Sequence, residues 1–113
     1  MKEIKAIIQP HMKPPVFDAL AERDDLPGVT VEDTAGWGRS KAAHTDQPVE
    51  GGGHRFAKKT KLEIVVTDEM VDEIVALIRE SAHTGQPGDG KIFVSDVDDA
   101  VRIRTGERGG AAI

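Results

Sequence analysis

The stretch "KLEIVVTDEMVDEIVALIRESAHTGQPGDGKIFV", residues 61–94, is the most informative part of the chain because its pattern predicts a strand, a helix and a second strand in direct succession. In residues 61–67 every second residue is apolar, which is the period of a half-buried strand. From residue 68 the apolar residues recur at helical spacing, and acidic residues occupy the first turn, where the helix dipole favours them. The glycines after residue 83 end the helix, and residues 91–97 predict the next strand.

The first part of the chain repeats this order. Ile4, Ala6 and Ile8 alternate with polar residues and predict a strand, and Pro14-Pro15 fits the first turn of a following helix. Residues 29–38 predict the next strand, and residues 101–103 predict a short last one. Two βαβ halves of this kind predict an α+β, ferredoxin-like βαββαβ sandwich with both helices on one face of one sheet and an extra C-terminal edge strand.

Length, charge and composition limit the function classes. The chain has 113 residues, which predicts a single domain, residues 1–113. The formal net charge of −5 argues against general nucleic-acid binding, and the absence of cysteine excludes disulfides and thiolate metal sites. The N-terminus lacks the long apolar core of a signal peptide, and no run approaches the roughly 20 apolar residues of a membrane span. We therefore expect a soluble cytoplasmic protein.

The predicted sheet leaves one face without helices. Ile7, Val65 and Phe93 fall on that face and would be exposed in a monomer. Because an exposed apolar sheet face usually marks a contact with a partner, we expect a symmetric homo-oligomer.

Three short motifs can bind anions. Arg102 and Arg104 lie two residues apart on one face of the predicted last strand, where two guanidinium groups suit a polyphosphate. The segment Gly88-Asp89-Gly90-Lys91 offers backbone N–H groups that can form an anion-binding nest. Gly36-Trp37-Gly38-Arg39 ends a strand in the same way. Taken singly, each has a plainer interpretation as solvated arginines or a tight turn, but together they predict an anion-binding cleft. No pattern places a nucleophile beside a base, so we interpret the chain as a binding protein.

The same motifs carry a family resemblance. "TGQPGDGKIFV" at residues 84–94 and "VRIRTGERG" at residues 101–109, with "IKAIIQP" near the start and "GWGR" before a long loop, resemble the PII signal-transduction proteins over nearly the whole chain. The resemblance implies a homotrimer that binds ATP or ADP, with Mg²⁺ accompanying ATP, in clefts between subunits. It also implies a long T-loop, about residues 38–58, that contacts a target enzyme or transporter in nitrogen regulation. Residues 84–91 would form the nucleotide loop, and residues 98–113 a C-terminal segment.

The resemblance also implies roles for individual residues. Gly88 and Gly90 would let the backbone close on the phosphates, with Asp89 between them. Charge on the phosphates would be neutralised by Lys91, Arg102 and Arg104, and the base of the T-loop would contribute Gly38 and Arg39. The base and ribose would lie near Ile8, Thr30 and Val65.

Departures from the family pattern leave the effector open. Ser40 stands where the best-known members have a glutamine that helps to hold magnesium and 2-oxoglutarate, although Lys59 matches the lysine that pairs with the carboxylate of that effector. The chain has no tyrosine, so it is not uridylylated on one. His44 and His54, with Asp46 and Glu50, are either metal ligands or incidental residues of a solvated loop. Alternative functions are a sensor of AMP, a cyclic nucleotide, bicarbonate or a metal that controls a transporter, and an adaptor with a vestigial pocket.

Overall fold

A computed structural model describes residues 1–38, 49–51 and 54–113 of the chain. The elements are β1 (Lys2–Ile8), α1 (Lys13–Ala21), β2 (Thr30–Gly36), β3 (Val49–Gly51), β4 (His54–Val66), α2 (Val71–Ala82) and β5 (Gly90–Asp96). Short 3-10 turns precede both helices at Pro10–Met12 and Asp68–Met70, and another closes the chain at Gly109–Ala112.

The main sheet is antiparallel and has the strand order β2-β4-β1-β5. The short strand β3 pairs with the beginning of β4 and lies off this path. Ile4 in β1 lies opposite Ile64 in β4 and Val94 in β5, which sets the register of the sheet centre. This order is that of the ferredoxin-like fold, so the predicted fold class is confirmed.

The core lies between the sheet and the two helices. Alternate residues of β1 and β4 are buried, since a strand directs every second side chain to the same face. Both helices contribute to the same cluster, which contains Ile4, Ala6, Ile8, Val16, Leu20, Leu62, Ile64, Val66, Ile74, Ile78 and Ala82. The predicted apolar stripe of α2 therefore packs against the sheet as expected.

The predicted C-terminal edge strand is wrong. Val101 makes only an isolated bridge to Arg108, because the chain reverses direction between them. The Arg102 N–H donates to the Glu107 carbonyl at 2.9 Å, and the Gly106 N–H donates to the Arg102 carbonyl at 2.7 Å. Gly106 has a φ of +77°, which suits glycine in a tight turn. The alternation of apolar and basic residues here resembles a strand, but the local turn bonds decide the structure.

The long loop expected at about residues 38–58 extends too far at its C-terminal end. Strand β4 begins at His54, and β3 occupies part of the same span. Ala57 and Lys58 pair with Gly36 and Ala35 of β2. The pairing of β2 with β4 therefore continues into residues where apolar and polar side chains do not alternate clearly. Cross-strand hydrogen bonds do not require apolar side chains, which explains why periodicity missed this part of β4. Arg39, Ser40, His44 and Asp46, together with the metal hypothesis that depends on them, lie outside the described residues.

The face of the sheet opposite the helices is more polar than predicted. Phe93 is 53% exposed, but Ile7 and Val65 are half-buried between charged neighbours. Lys61 forms ion pairs with Glu32 at 3.2 Å and with Glu63 at 3.3 Å on this face. We call it the open face.

In the part of the chain that the structure covers, neither helix has the length and apolar character that crossing a bilayer would require.

Candidate functional site

The glycine-rich loop at residues 84–90 connects α2 to β5 through backbone conformations that favour glycine. Gly85, Gly88 and Gly90 have φ angles of +85°, +94° and +103°. A Cβ atom on Gly90 would lie 1.7 Å from the Ile7 carbonyl oxygen. The end of β1 therefore requires a glycine at residue 90 before any ligand is considered.

The carboxylate of Asp89 is turned into this loop. It accepts hydrogen bonds from the backbone N–H groups of Thr84 at 2.9 Å and Gly85 at 3.0 Å, and from the Thr84 hydroxyl. Burial raises the pKa of Asp89, but the hydrogen bonds from Thr84 and Gly85 outweigh it, and the pKa lies below its ordinary value. Asp89 therefore stays ionised and bound to the loop near neutral pH.

Lys59 links this loop to the sheet. Its Nζ donates a hydrogen bond of 2.8 Å to the Gly88 carbonyl, across the end of β1. Burial lowers the pKa of Lys59, and the negative charge of Asp89 partly opposes this effect. Because Lys59 belongs to β4, the contact connects the loop to the strand that continues toward residues 39–53.

A first cavity of about 360 Å³ lies between this loop, α2 and the ends of β1 and β5. The predicted site residues Ile8, Asp89, Gly90 and Lys91 line it. Its other walls are apolar or basic side chains that the sequence did not single out for this site: Ile7, Val75, Ile78, Arg79, Ala82, His83 and Ile92. The cavity therefore combines apolar side chains with a glycine, a lysine and an arginine.

A second cavity of about 400 Å³ lies on the open face, near the end of β1 opposite to the first cavity. It is lined by the predicted residues Thr30, Val65 and Arg102. The remaining lining residues are Glu3, Pro27, Gly28, Glu63, Ala112 and Ile113. The carboxylate of Glu63 can accept hydrogen bonds from amino or hydroxyl groups, and Arg102 can bind an anion.

The C-terminal segment that carries Arg102 is folded on itself. The Asp99 carboxylate accepts hydrogen bonds from the Arg108 Nε at 2.9 Å and from the N–H groups of Ala100 and Gly109 at 2.9 and 3.2 Å. The Arg108 guanidinium lowers the pKa of Asp99. A weak contact of 3.5 Å joins Arg102 to Glu107. These contacts hold the turn that places Arg102 beside the second cavity.

The two cavities are too far apart to form one site in a single chain. Ile8 pairs with Gly90 at one end of β1, and Glu3 pairs with Val65 near the other. Five residues of strand span about 17 Å at 3.4 Å per residue. Most of the predicted residues thus fall into two groups, and Gly38, Gly88 and Arg104 line neither cavity. Arg39 lies outside the described residues.

The sequence analysis did not select Glu63 or Arg79, although the spacing of their neighbours indicates where both side chains lie. Glu63 and Val65 are two apart on a strand, so the period that placed Val65 on the open face also places Glu63 there. Arg79 lies one residue beyond Ile78 of the α2 stripe and borders the first cavity. Within residues 1–38, 49–51 and 54–113, no three His, Asp or Glu side chains are grouped so that they could hold a metal ion.

Comparisons with known proteins agree with these motifs. A family model described as "Nitrogen regulatory protein P-II" matches residues 1–107. Proteins named "Nitrogen regulatory protein P-II" from Klebsiella oxytoca and Azospirillum brasilense are 49% and 45% identical over the full length of both chains. "Nitrogen regulatory protein P-II 2" of Methanothermobacter thermautotrophicus is 48% identical over all of this chain and 97% of its own. The crystal structure of Arabidopsis thaliana PII bound to citrate superimposes with a TM-score of 0.79 at 38% identity, covering 99% of this chain and 91% of the other.

Proposed function

Since the chain belongs to the P-II family of nitrogen regulatory proteins, which are signal-transduction regulators and not enzymes, we propose that it is a cytoplasmic homotrimer that binds ATP or ADP between its subunits. The bound nucleotide would set the conformation of residues 38–58, and that segment would control a target enzyme or transporter in nitrogen regulation.

The main support for this proposal is that the two cavities lie at opposite ends of the sheet. In this proposal each cavity would hold part of the nucleotide: the first offers the glycine-rich loop and Lys91, and the second offers Thr30, Val65 and Arg102. A second copy of the chain can bring its second cavity to the first cavity of its neighbour. Strands β2 and β5 form the sheet edges in the described part of the chain, and exposed Phe93 on β5 is available for such a contact.

The chemistry of the two halves suits a nucleoside polyphosphate. Backbone N–H groups of residues 88–91 and the positive charges of Lys91 and Arg102 favour phosphates. Val65 supplies apolar surface for a base, and Glu63 supplies a hydrogen-bond acceptor. ATP and ADP differ by one phosphate and its associated Mg²⁺, so they can favour different conformers of the same segment.

The experiment that tests this proposal is isothermal titration calorimetry of ATP and ADP, with and without Mg²⁺. We expect Arg102→Ala to weaken binding at least about tenfold, because a charge-assisted contact is lost. The matched control is Arg23→Ala, which removes an arginine that bridges Asp25 and Glu73 in the helical layer. Sedimentation should give a trimer. A monomer that binds nucleotide, or an Arg102 variant that binds as tightly as the wild type, would contradict the proposal.

The same titration repeated with 2-oxoglutarate shows whether 2-oxoglutarate is an effector of this protein. Lys59, which would pair with its carboxylate, already donates to the Gly88 carbonyl. A carboxylate effector must therefore share or displace this contact, and its binding should depend on bound nucleotide. If 2-oxoglutarate does not bind in either condition, the nucleotide site operates with a different signal.

A further inference from the structure

We propose that Asp89 is a positioning residue of the nucleotide loop, which acts on the amides of its own loop and makes no contact with the bound ligand. The inference rests on the proposed function and replaces the direct nucleotide-binding role that the family resemblance implied for Asp89.

Both oxygens of Asp89 already have partners within the loop. Oδ2 accepts the N–H groups of Thr84 and Gly85, and Oδ1 accepts the Thr84 hydroxyl. The Thr84 hydroxyl oxygen in turn accepts the N–H of Gln86 at 3.1 Å. The result is a closed set of hydrogen bonds across residues 84–89 that is complete without a ligand.

The charge of Asp89 supports the same assignment. A carboxylate beside bound phosphates is repelled by them, so a residue that served only as a ligand contact would be unfavourable here. Asp89 instead satisfies two N–H groups that follow the last turn of α2, as a bound anion would. Its carboxylate oxygens are thereby bound to Thr84 and Gly85, at the start of the loop.

Fixing the first half of the loop also fixes the second half. Gly88 and Gly90 adopt φ angles of +94° and +103°, Gly90 lies against the Ile7 carbonyl, and Gly88 accepts from Lys59. With Asp89 holding residues 84 and 85, the N–H groups of residues 88–91 are ordered before a nucleotide arrives. A receptor that is ordered in advance loses less conformational entropy on binding.

The test compares Asp89→Asn, Thr84→Val and the control Thr84→Ser. Asparagine has nearly the same size but carries no charge, so its single oxygen accepts more weakly from the N–H groups of Thr84 and Gly85. We expect Asp89→Asn to weaken ATP and ADP by the same factor, roughly tenfold, with or without Mg²⁺. Thr84→Val should produce a smaller loss of the same kind, and Thr84→Ser should bind like the wild type. In the ligand-free trimer, the amides of Thr84 and Gly85 should exchange with solvent faster in Asp89→Asn.

Three results would overturn the assignment. One is unchanged or tighter nucleotide binding by Asp89→Asn, which would mean that the carboxylate only repels phosphate. Another is a loss confined to ATP with Mg²⁺, which would indicate direct contact with the metal or the last phosphate. The third is unchanged amide exchange at Thr84 and Gly85. If Asp89→Asn does not fold, Thr84→Val against Thr84→Ser decides by the same criteria.

The wild-type titration separates this inference from the proposed function. If the wild type binds neither ATP nor ADP, the proposed function fails and this inference fails with it. If the wild type binds both and Asp89→Asn binds equally well, only the assignment of Asp89 is wrong.

Discussion

Replacing Gly90 with alanine should destabilise the protein more than any comparable glycine substitution in its surface turns. The added Cβ would lie 1.7 Å from the Ile7 carbonyl oxygen and 2.8 Å from its carbon, distances that real Cβ atoms essentially never show. Both atoms belong to backbone, so no side-chain rotation relieves the contact. The end of β5 must move away from β1, where Gly90 pairs with Ile8.

The expected magnitude has two parts. Alanine at a φ of +103° costs about 1–2 kcal/mol in backbone conformation. Separating the strand ends disrupts one or two ladder hydrogen bonds, each contributing about 0.5–1.5 kcal/mol. The free energy of unfolding should therefore fall by roughly 2–5 kcal/mol, a large share of the ~5–15 kcal/mol of a typical domain.

Two control variants separate these contributions. Gly106→Ala has a φ of +77° but no neighbouring atom within 4 Å, so it should cost only the backbone part, about 1–2 kcal/mol. Gly110→Ala has neither feature and should change stability by less than about 0.5 kcal/mol. Urea unfolding at one fixed protein concentration measures all three. If Gly90→Ala is no less stable than Gly106→Ala, the close approach to Ile7 does not exist in solution.

Three further predictions concern single side chains. Thr60→Val should raise the free energy of unfolding by about 1 kcal/mol in urea titrations, because the Thr60 hydroxyl is buried and has no hydrogen-bond partner in the described part of the chain. A fall in the free energy of unfolding by a similar amount would mean that a buried water binds the hydroxyl. Lys59→Met should increase amide exchange in residues 84–90, because Gly88 loses its donor, while unfolding in urea shifts little; unchanged exchange would refute the link. The pKa of Asp99 is lowered in the folded protein, chiefly by Arg108. Ionised Asp99 therefore stabilises the C-terminal turn fully at pH values above its ordinary pKa of about 3.9, and this stabilisation is lost as the pH falls through the lower pKa of the folded state. The Gly109 amide signal should therefore shift on acidification, and a pH-independent signal would exclude Asp99 as its partner.

Much of the fold could be predicted because the responsible patterns are local. The alternation of Ile4, Ala6 and Ile8 and the helical stripe of α2 each follow from the geometry of one element, and both lie in the core as predicted. Patterns failed where a local bond competed with them: the turn bonds at residues 102–107 replaced the predicted last strand, and the weakly apolar residues 54–58 joined β4 through backbone pairing.

The amino-acid sequence alone predicts β1, α1, β2, α2 and β5, the burial of one sheet face, and a glycine-rich loop and basic residues suited to anions. These depend on spacing along the chain, which the sequence records directly. The folded chain was needed to show that Gly90 is required by the Ile7 carbonyl, that Asp89 binds its own loop, and that the candidate site residues divide between two distant cavities. These depend on which segments meet in space, because strand register brings residue 90 beside residue 7 and keeps residues 8 and 65 at opposite ends of the same sheet.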